Sequence, residues 1–137
     1  MARLVTLHDT DGEIIYPQTI SDMDYSTSEQ DTGCKWIDGK PIYKKTVNFG
    51  ALPNATAKNV AHGISNLDEV VKLEGLIRNN ANASNPEWMG TPLVYRGSDS
   101  AFNAATLVSL TSVQFNCTQD RSHYSAYVTI WYTKTTD

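Results

Sequence analysis

The chain predicts an all-β fold, an antiparallel sandwich or jelly roll preceded by a short N-terminal hairpin. Three observations carry that reading. Short runs rich in β-branched and aromatic residues alternate with a period of two, as in the closing run from Tyr124 to Asp137. Turn residues interrupt these runs at short intervals. Helical periodicity is almost absent, so strands have to pack on strands.

Residues 1–24 form an opening segment. Leu4, Val5 and Leu7 make one β-prone run, and Ile14, Ile15 and Tyr16 make a second, closed by Pro17. Asp11-Gly12 between them is hairpin-turn chemistry. Two such short strands are not stable alone and must pack on this domain, a second copy or another protein. Residues 21–33 are rich in Ser, Thr and Asp and read as a connector.

The globular domain spans 25–137, and its strands begin near Cys34. Asp38-Gly39 sits between Trp36-Ile37 and the alternating run from Pro41 to Phe49, a second hairpin signal. Tyr43, Lys45, Val47 and Phe49 share one face of that run, with Ile42, Lys44, Thr46 and Asn48 on the other. A turn at Leu52-Pro53-Asn54 leads to a short strand over Asn59–His62, ended by Gly63. Residues 68–78 suit a helix turn or a strand with a Gly bulge, and the strand is favoured. Residues 79–92 read as a polar loop holding Trp88, Leu93–Tyr95 as a strand, and Leu107–Cys117 as one alternating strand. Gln119–Ser122 turns into the last strand, and its end at Asp137 predicts no linker, lid or second domain beyond it.

A chain of 137 residues is one domain by length, large enough to bury a core without staples. Net charge of −4 gives no electrostatic footprint for nucleic acid or anionic membrane. The densest basic group, Lys40, Lys44 and Lys45, reads as a solvated strand face. No run approaches the ~20 apolar residues of a membrane-spanning helix. The N-terminus lacks the apolar core and cleavage site of a signal peptide, which predicts synthesis in a cytoplasm without processing. Cys34 and Cys117 match no metal or redox spacing and are expected to be free. Glycosylation-type triplets at Asn54, Asn82 and Asn116 then read as chance.

No catalytic set is found. His8, His62 and His123 lie far apart, and none has metal-ligand spacing. His62 reads as a turn or core histidine rather than an axial ligand in an oligomer. There is no phosphate loop and no nucleophile elbow, and pairs such as Asp9/Asp11 and Asp68/Glu69 fall in turn or surface contexts. The expectation is a protein that is not an enzyme and needs no metal and no cofactor. Aromatic side chains are the other candidates, because a sugar stacks on an aromatic face while amides and carboxylates take its hydroxyls. Trp88, flanked by Asn82, Asn85 and Glu87, is the best placed, with Tyr124 and Tyr95 weaker. Trp88 packing back on the core or between subunits stands as the alternative. Trp36 and Trp131 fall in strand patterns and read as core or interface.

Asp24-Tyr-Ser-Thr-Ser-Glu-Gln30, Trp36-Ile-Asp-Gly-Lys-Pro-Ile-Tyr-Lys-Lys-Thr46, Leu52-Pro-Asn54, His62-Gly-Ile64, Ser65-Asn-Leu67 and Ile130-Trp-Tyr-Thr-Lys-Thr-Thr-Asp137 occur in that order. Together they resemble a small domain found at the C-terminal end of bacteriophage fibre, tail and head-appendage proteins. The opening segment is similar to leader pieces of such proteins. The resemblance implies a homotrimeric virion protein, made in the infected bacterium's cytoplasm and attached to capsid, collar or tail protein through Leu4, Val5, Leu7, Ile14, Ile15 and Tyr16. It also implies contact with host-surface glycan. With only about two dozen residues before the domain, a short appendage fits better than a long fibre. Capsid decoration without receptor binding is the alternative, and a polysaccharide-degrading tip a third.

Overall fold

The computed structural model describes residues 7–8, 10–12, 14–15, 24–91 and 104–137. Among them every regular element is a β-strand, and every strand pairing is antiparallel. The all-β, sandwich-like fold expected from the alternating runs is therefore what forms. Leu4, Val5 and Tyr16, and the strand expected at Leu93–Tyr95, lie outside the described residues.

β1 (Leu7–His8) pairs with β2 (Ile14–Ile15), with Leu7 opposite Ile15. Gly12 takes φ +82 in the connection, a left-handed conformation that glycine adopts without a Cβ clash. The main sheet has five strands in the order β3-β4-β10-β6-β7. These are β3 (Gln30–Lys35), β4 (Pro41–Ala51), β10 (Tyr124–Lys134), β6 (Leu67–Asn79) and β7 (Glu87–Thr91). The smaller sheet is β5-β9-β8, from β5 (Ala57–Ala61), β9 (Ser112–Cys117) and β8 (Ala104–Val108).

The closing run is central because its alternation serves both faces. Ala126, Val128, Ile130 and Tyr132 all point into the core, each at most 1% exposed. β4 adds Val47 and Phe49, β6 adds Ile77, and β9 adds Val113, Phe115 and Cys117. The two sheets meet edge-to-face at Phe49 and Phe115, with ring centroids 4.7 Å apart. Truncating a fully buried Phe such as Phe115 to Ala costs about 3–5 kcal/mol in a packed core.

The strand favoured over a helix turn at residues 68–78 is what forms: Lys72, Glu74, Leu76 and Arg78 alternate with inward residues opposite β10, and the register shifts between Lys72 and Val70 rather than at Gly75. Other expectations need correction. The connector over 21–33 gives way at Gln30, where β3 begins. The polar Thr32 is drawn inward there by donating its hydroxyl to the Ile42 carbonyl at 2.7 Å. Leu107–Cys117 is a hairpin rather than one strand. Ser109 breaks it by taking backbone N–H bonds from Thr111 and Ser112 on its hydroxyl, at 3.3 and 3.1 Å. Leu107 thus faces away from the core that holds Val113 and Phe115. Nor are Lys40, Lys44 and Lys45 one solvated face. Lys44 is 1% exposed, its ammonium 4.8 Å from the ring centre of Tyr25.

Candidate functional site

Register decides which side chains share the outer face of the five-stranded sheet, the face turned from the core. Arg78 of β6 stands between Trp88 of β7 and Ser125 of β10. One step along, Leu76 stands between Gly90 and Tyr127, and beyond that Glu74 stands opposite Thr129, itself opposite Thr46 of β4. Lys72, Trp131 and Lys44 form the next row. All these positions keep the parity opposite to Val128 and Ile130.

Large apolar side chains on this face stay in water. Trp88 is 56% exposed, Tyr127 55%, Leu76 49%, and Tyr25, folded over from the segment before β3, 62%. Most strand faces of this kind carry polar residues, so four such side chains on one face make it the candidate site. Between Tyr25, Leu76 and Tyr127 the surface sinks into an open groove of about 530 Å³. Its floor is the Thr46 and Thr129 hydroxyl pair, bonded to each other at 2.9 Å and almost buried. Glu74, Ser26 and Thr27 complete its walls. The Thr46 N–H bonds the Ser26 carbonyl at 2.9 Å and holds that wall against β4.

Charges around the groove are pinned. Lys72 Nζ lies 3.4 Å from Glu74 Oε2 and 4.3 Å from the centre of the Trp131 ring, so one ammonium serves both. The Arg78 guanidinium lies 5.7 Å from the Trp88 ring centre.

The residues singled out from the sequence are partly brought together. Trp88 is not in a loop: the chain re-enters the sheet at Glu87, and Trp88 stands on edge strand β7 opposite Arg78. Adjacent strand residues face opposite ways, so Glu87 points to the other side of the sheet from Trp88. Glu87 lies instead in the row of Asn79 and Tyr124, and its Oε2 accepts from Asn79 Nδ2 at 3.4 Å. Asn82 and Asn85 shape the turn before β7. The Asn82 side chain accepts the Ser84 N–H at 3.1 Å, and its carbonyl accepts the Asn85 N–H at 3.2 Å. Tyr124 packs against the core with the His123 ring tilted against it, centroids 4.4 Å apart, and the Arg121 guanidinium 5.3 Å from its ring. Among the described residues only Trp88 of the expected set therefore lies on the outer face; Tyr95 lies outside them. Trp131 is half-buried under Lys72, and Trp36 is half-buried beside the β3–β4 turn.

Tyr25, Thr46, Glu74, Leu76, Tyr127 and Thr129 were not singled out from the sequence. Leu76 and Tyr127 did carry a signal, since each is an apolar residue in the polar phase of its strand. That signal acquires meaning only when β6 and β10 are known to be neighbours.

Elsewhere, His62 is buried at the end of the smaller sheet. Its Nδ1 accepts the Ile64 N–H at 3.0 Å, and its Nε2 lies 3.0 Å from the Ser109 carbonyl. That is the bonding of a core histidine. Neither Cys34 nor Cys117 is in a disulfide, and burial pushes the Cys117 thiol above its usual value. Among the described residues no three His, Cys, Asp or Glu side chains converge as a metal site would require.

No family model, curated protein or solved structure matches the chain.

Proposed function

We propose that this chain is a bacteriophage virion appendage of the short head- or tail-fibre kind, whose outer sheet face binds carbohydrate on the host surface. The observation that carries the reading is the groove between Tyr25, Leu76 and Tyr127, with hydroxyls on its floor and Trp88 further along the same face. Exposed aromatic rings beside fixed polar groups are what the two unlike surfaces of a sugar ring require. The ordered motifs from Asp24 to Asp137 that resemble phage appendage domains supply the biological setting. In that setting the chain acts without catalysis, as a homotrimer held to the particle through residues 1–24.

Binding of purified, labelled protein to cells of the host bacterium tests the reading. Tyr127→Ala and Trp88→Ala together remove much of the aromatic face without touching the core, so binding should fall at least tenfold at unchanged melting temperature. Undiminished binding by the double variant overturns the assignment of this face. Phage particles lacking the protein separate adhesion from decoration: sturdy heads with poor adsorption support the proposal, whereas fragile heads with normal adsorption favour a capsid-reinforcing role.

A further inference from the structure

Within the carbohydrate reading, on which this inference rests, the charges of the groove specify the class of sugar. We infer that it takes an uncharged saccharide, read through Glu74, and discriminates against acidic and free-amine sugars. Among the described residues that line the groove Glu74 is the one charged side chain; the other polar side chains are hydroxyls, those of Ser26, Thr27, Thr46, Tyr25, Tyr127 and Thr129. With Lys72 paired to Glu74, a ligand carboxylate or phosphate placed here finds no net positive charge to offset the water it loses on entry.

A cationic sugar is disfavoured for a different reason. Glu74 already has its counter-ion in Lys72, 3.4 Å away, and Lys72 is in turn seated on the Trp131 ring. An incoming ammonium would have to compete with Lys72 for the same carboxylate. What the paired carboxylate still offers is acceptor capacity: ionised, it has two oxygens with about four lone-pair directions, and Lys72 takes one. Neighbouring sugar hydroxyls are donors suited to the remainder. The Thr46–Thr129 pair spends one of its two protons on its internal bond, which leaves the floor able both to donate and to accept. Tyr127 and Leu76 then supply the apolar surface for the ring.

The test is a glycan array spanning neutral, uronic-acid or sialylated, and free-amine oligosaccharides, probed with the full chain and with the variants Glu74→Gln and Tyr127→Ala. The inference expects binding confined to the neutral panel. Glu74→Gln should weaken it about tenfold, because an amide accepts less strongly and turns a donor toward the hydroxyls. Tyr127→Ala should abolish it. Binding concentrated on acidic or amine-bearing members, or a Glu74→Gln variant that binds neutral glycans as tightly as the parent while Tyr127→Ala does not, overturns the inference and leaves the carbohydrate reading in place. No binding by the parent to any panel, or binding that both variants retain in full, overturns the carbohydrate reading of this face and the inference with it.

Discussion

The imidazole of His62 joins two turns, its Nδ1 taking the N–H of Ile64 and its Nε2–H giving to the carbonyl of Ser109, each at 3.0 Å. The backbone runs in parallel with it, since the His62 N–H bonds the Thr111 carbonyl at 3.3 Å. One ring thus fixes the chain as it leaves β5 against the β8–β9 turn. His62→Ala strands a buried N–H at Ile64 and opens a cavity, which should cost about 2–4 kcal/mol. His62→Asn can still accept the Ile64 N–H in an Asx-type turn but is too short to reach Ser109, so it should recover part of that loss. Denaturant melts of the two variants check the order.

Acid should destabilise the protein through carboxylates that folding holds low, Glu29 and Asp68 among them. Burial acts to raise the Glu29 carboxyl, but hydrogen bonds from Lys134 and Tyr132 and the charges of Lys134 and Lys45 outweigh it, and the group ends below its ordinary value. Asp68 is also held low, first by the hydrogen bond from Lys40 at 2.6 Å and further by the Lys40 charge and the Thr133 hydroxyl. For groups lowered by folding, the stabilisation is present above the unfolded value and lost as pH falls through the folded one. The loss therefore begins below about pH 4.5, near the ordinary carboxylate values. Tyr132, whose hydroxyl bonds Glu29 at 2.5 Å, has the opposite sign: burial first, then Glu29, push it above the usual phenol range. Its contribution is present below about pH 10 and falls away as pH rises beyond it. Melting temperature against pH should show a plateau between these limbs. Glu29→Gln should lower the plateau and flatten the acid limb, and an unchanged acid limb would count against the assignment.

Much of this fold can be read from residue patterns, for reasons visible at particular places. Asp38-Gly39 forms its turn because local chemistry suffices: Gly39 takes φ +87, its N–H bonds the Trp36 carbonyl at 2.9 Å, and Asp38 accepts the Lys40 N–H at 3.0 Å. The last strand is legible because one phase of it, Ala126, Val128, Ile130 and Tyr132, is apolar and buried, and its β-branched and aromatic residues favour strand on either face. Trp88 is misplaced as a loop residue because Glu87–Thr91, with a Pro before it and a Gly within it, has little strand propensity of its own. It becomes a strand by pairing with β6, a tertiary effect. Lys44 likewise looks solvated until Tyr25, nineteen positions earlier, is found against it. The outer-face groove assembles residues from four separated stretches, and no local pattern announces which strands lie side by side.

Two turns hold residues with opposite needs. Gly63 has φ +64, and a Cβ there would stand 3.1 Å from the Lys45 ammonium, which donates to the Gly63 carbonyl at 3.3 Å. Gly63→Ala should therefore destabilise by about 1–2 kcal/mol, from left-handed strain together with the displaced lysine. Ala55 pays the converse cost, a non-glycine residue at φ 48 with its N–H bonded to the Gln119 carbonyl at 3.0 Å. Ala55→Gly relieves that strain while loosening the unfolded chain, so a net gain of up to about 1 kcal/mol is expected. Thermal unfolding of the pair should move in opposite directions.

Gly90 allows the outer face to be blocked without altering the groove itself. It stands on edge strand β7 opposite Leu76, a Cβ there would meet nothing within 4 Å, and its φ is not in the left-handed region. Gly90→Gln should leave stability within about 0.5 kcal/mol, since glycine is a poor strand residue and the edge has room. The added side chain lies over Leu76, on the path between Trp88 and Tyr127. Two strand spacings across and two residues along separate those rings, roughly 12 Å. A ligand touching both crosses β6 between Arg78 and Leu76, beside position 90, where the longer side chain crowds it, so cell or glycan binding should fall severalfold in the Gly90→Gln variant. Binding that survives this change but not Tyr127→Ala would confine the ligand to the groove and exclude Trp88 from the contact.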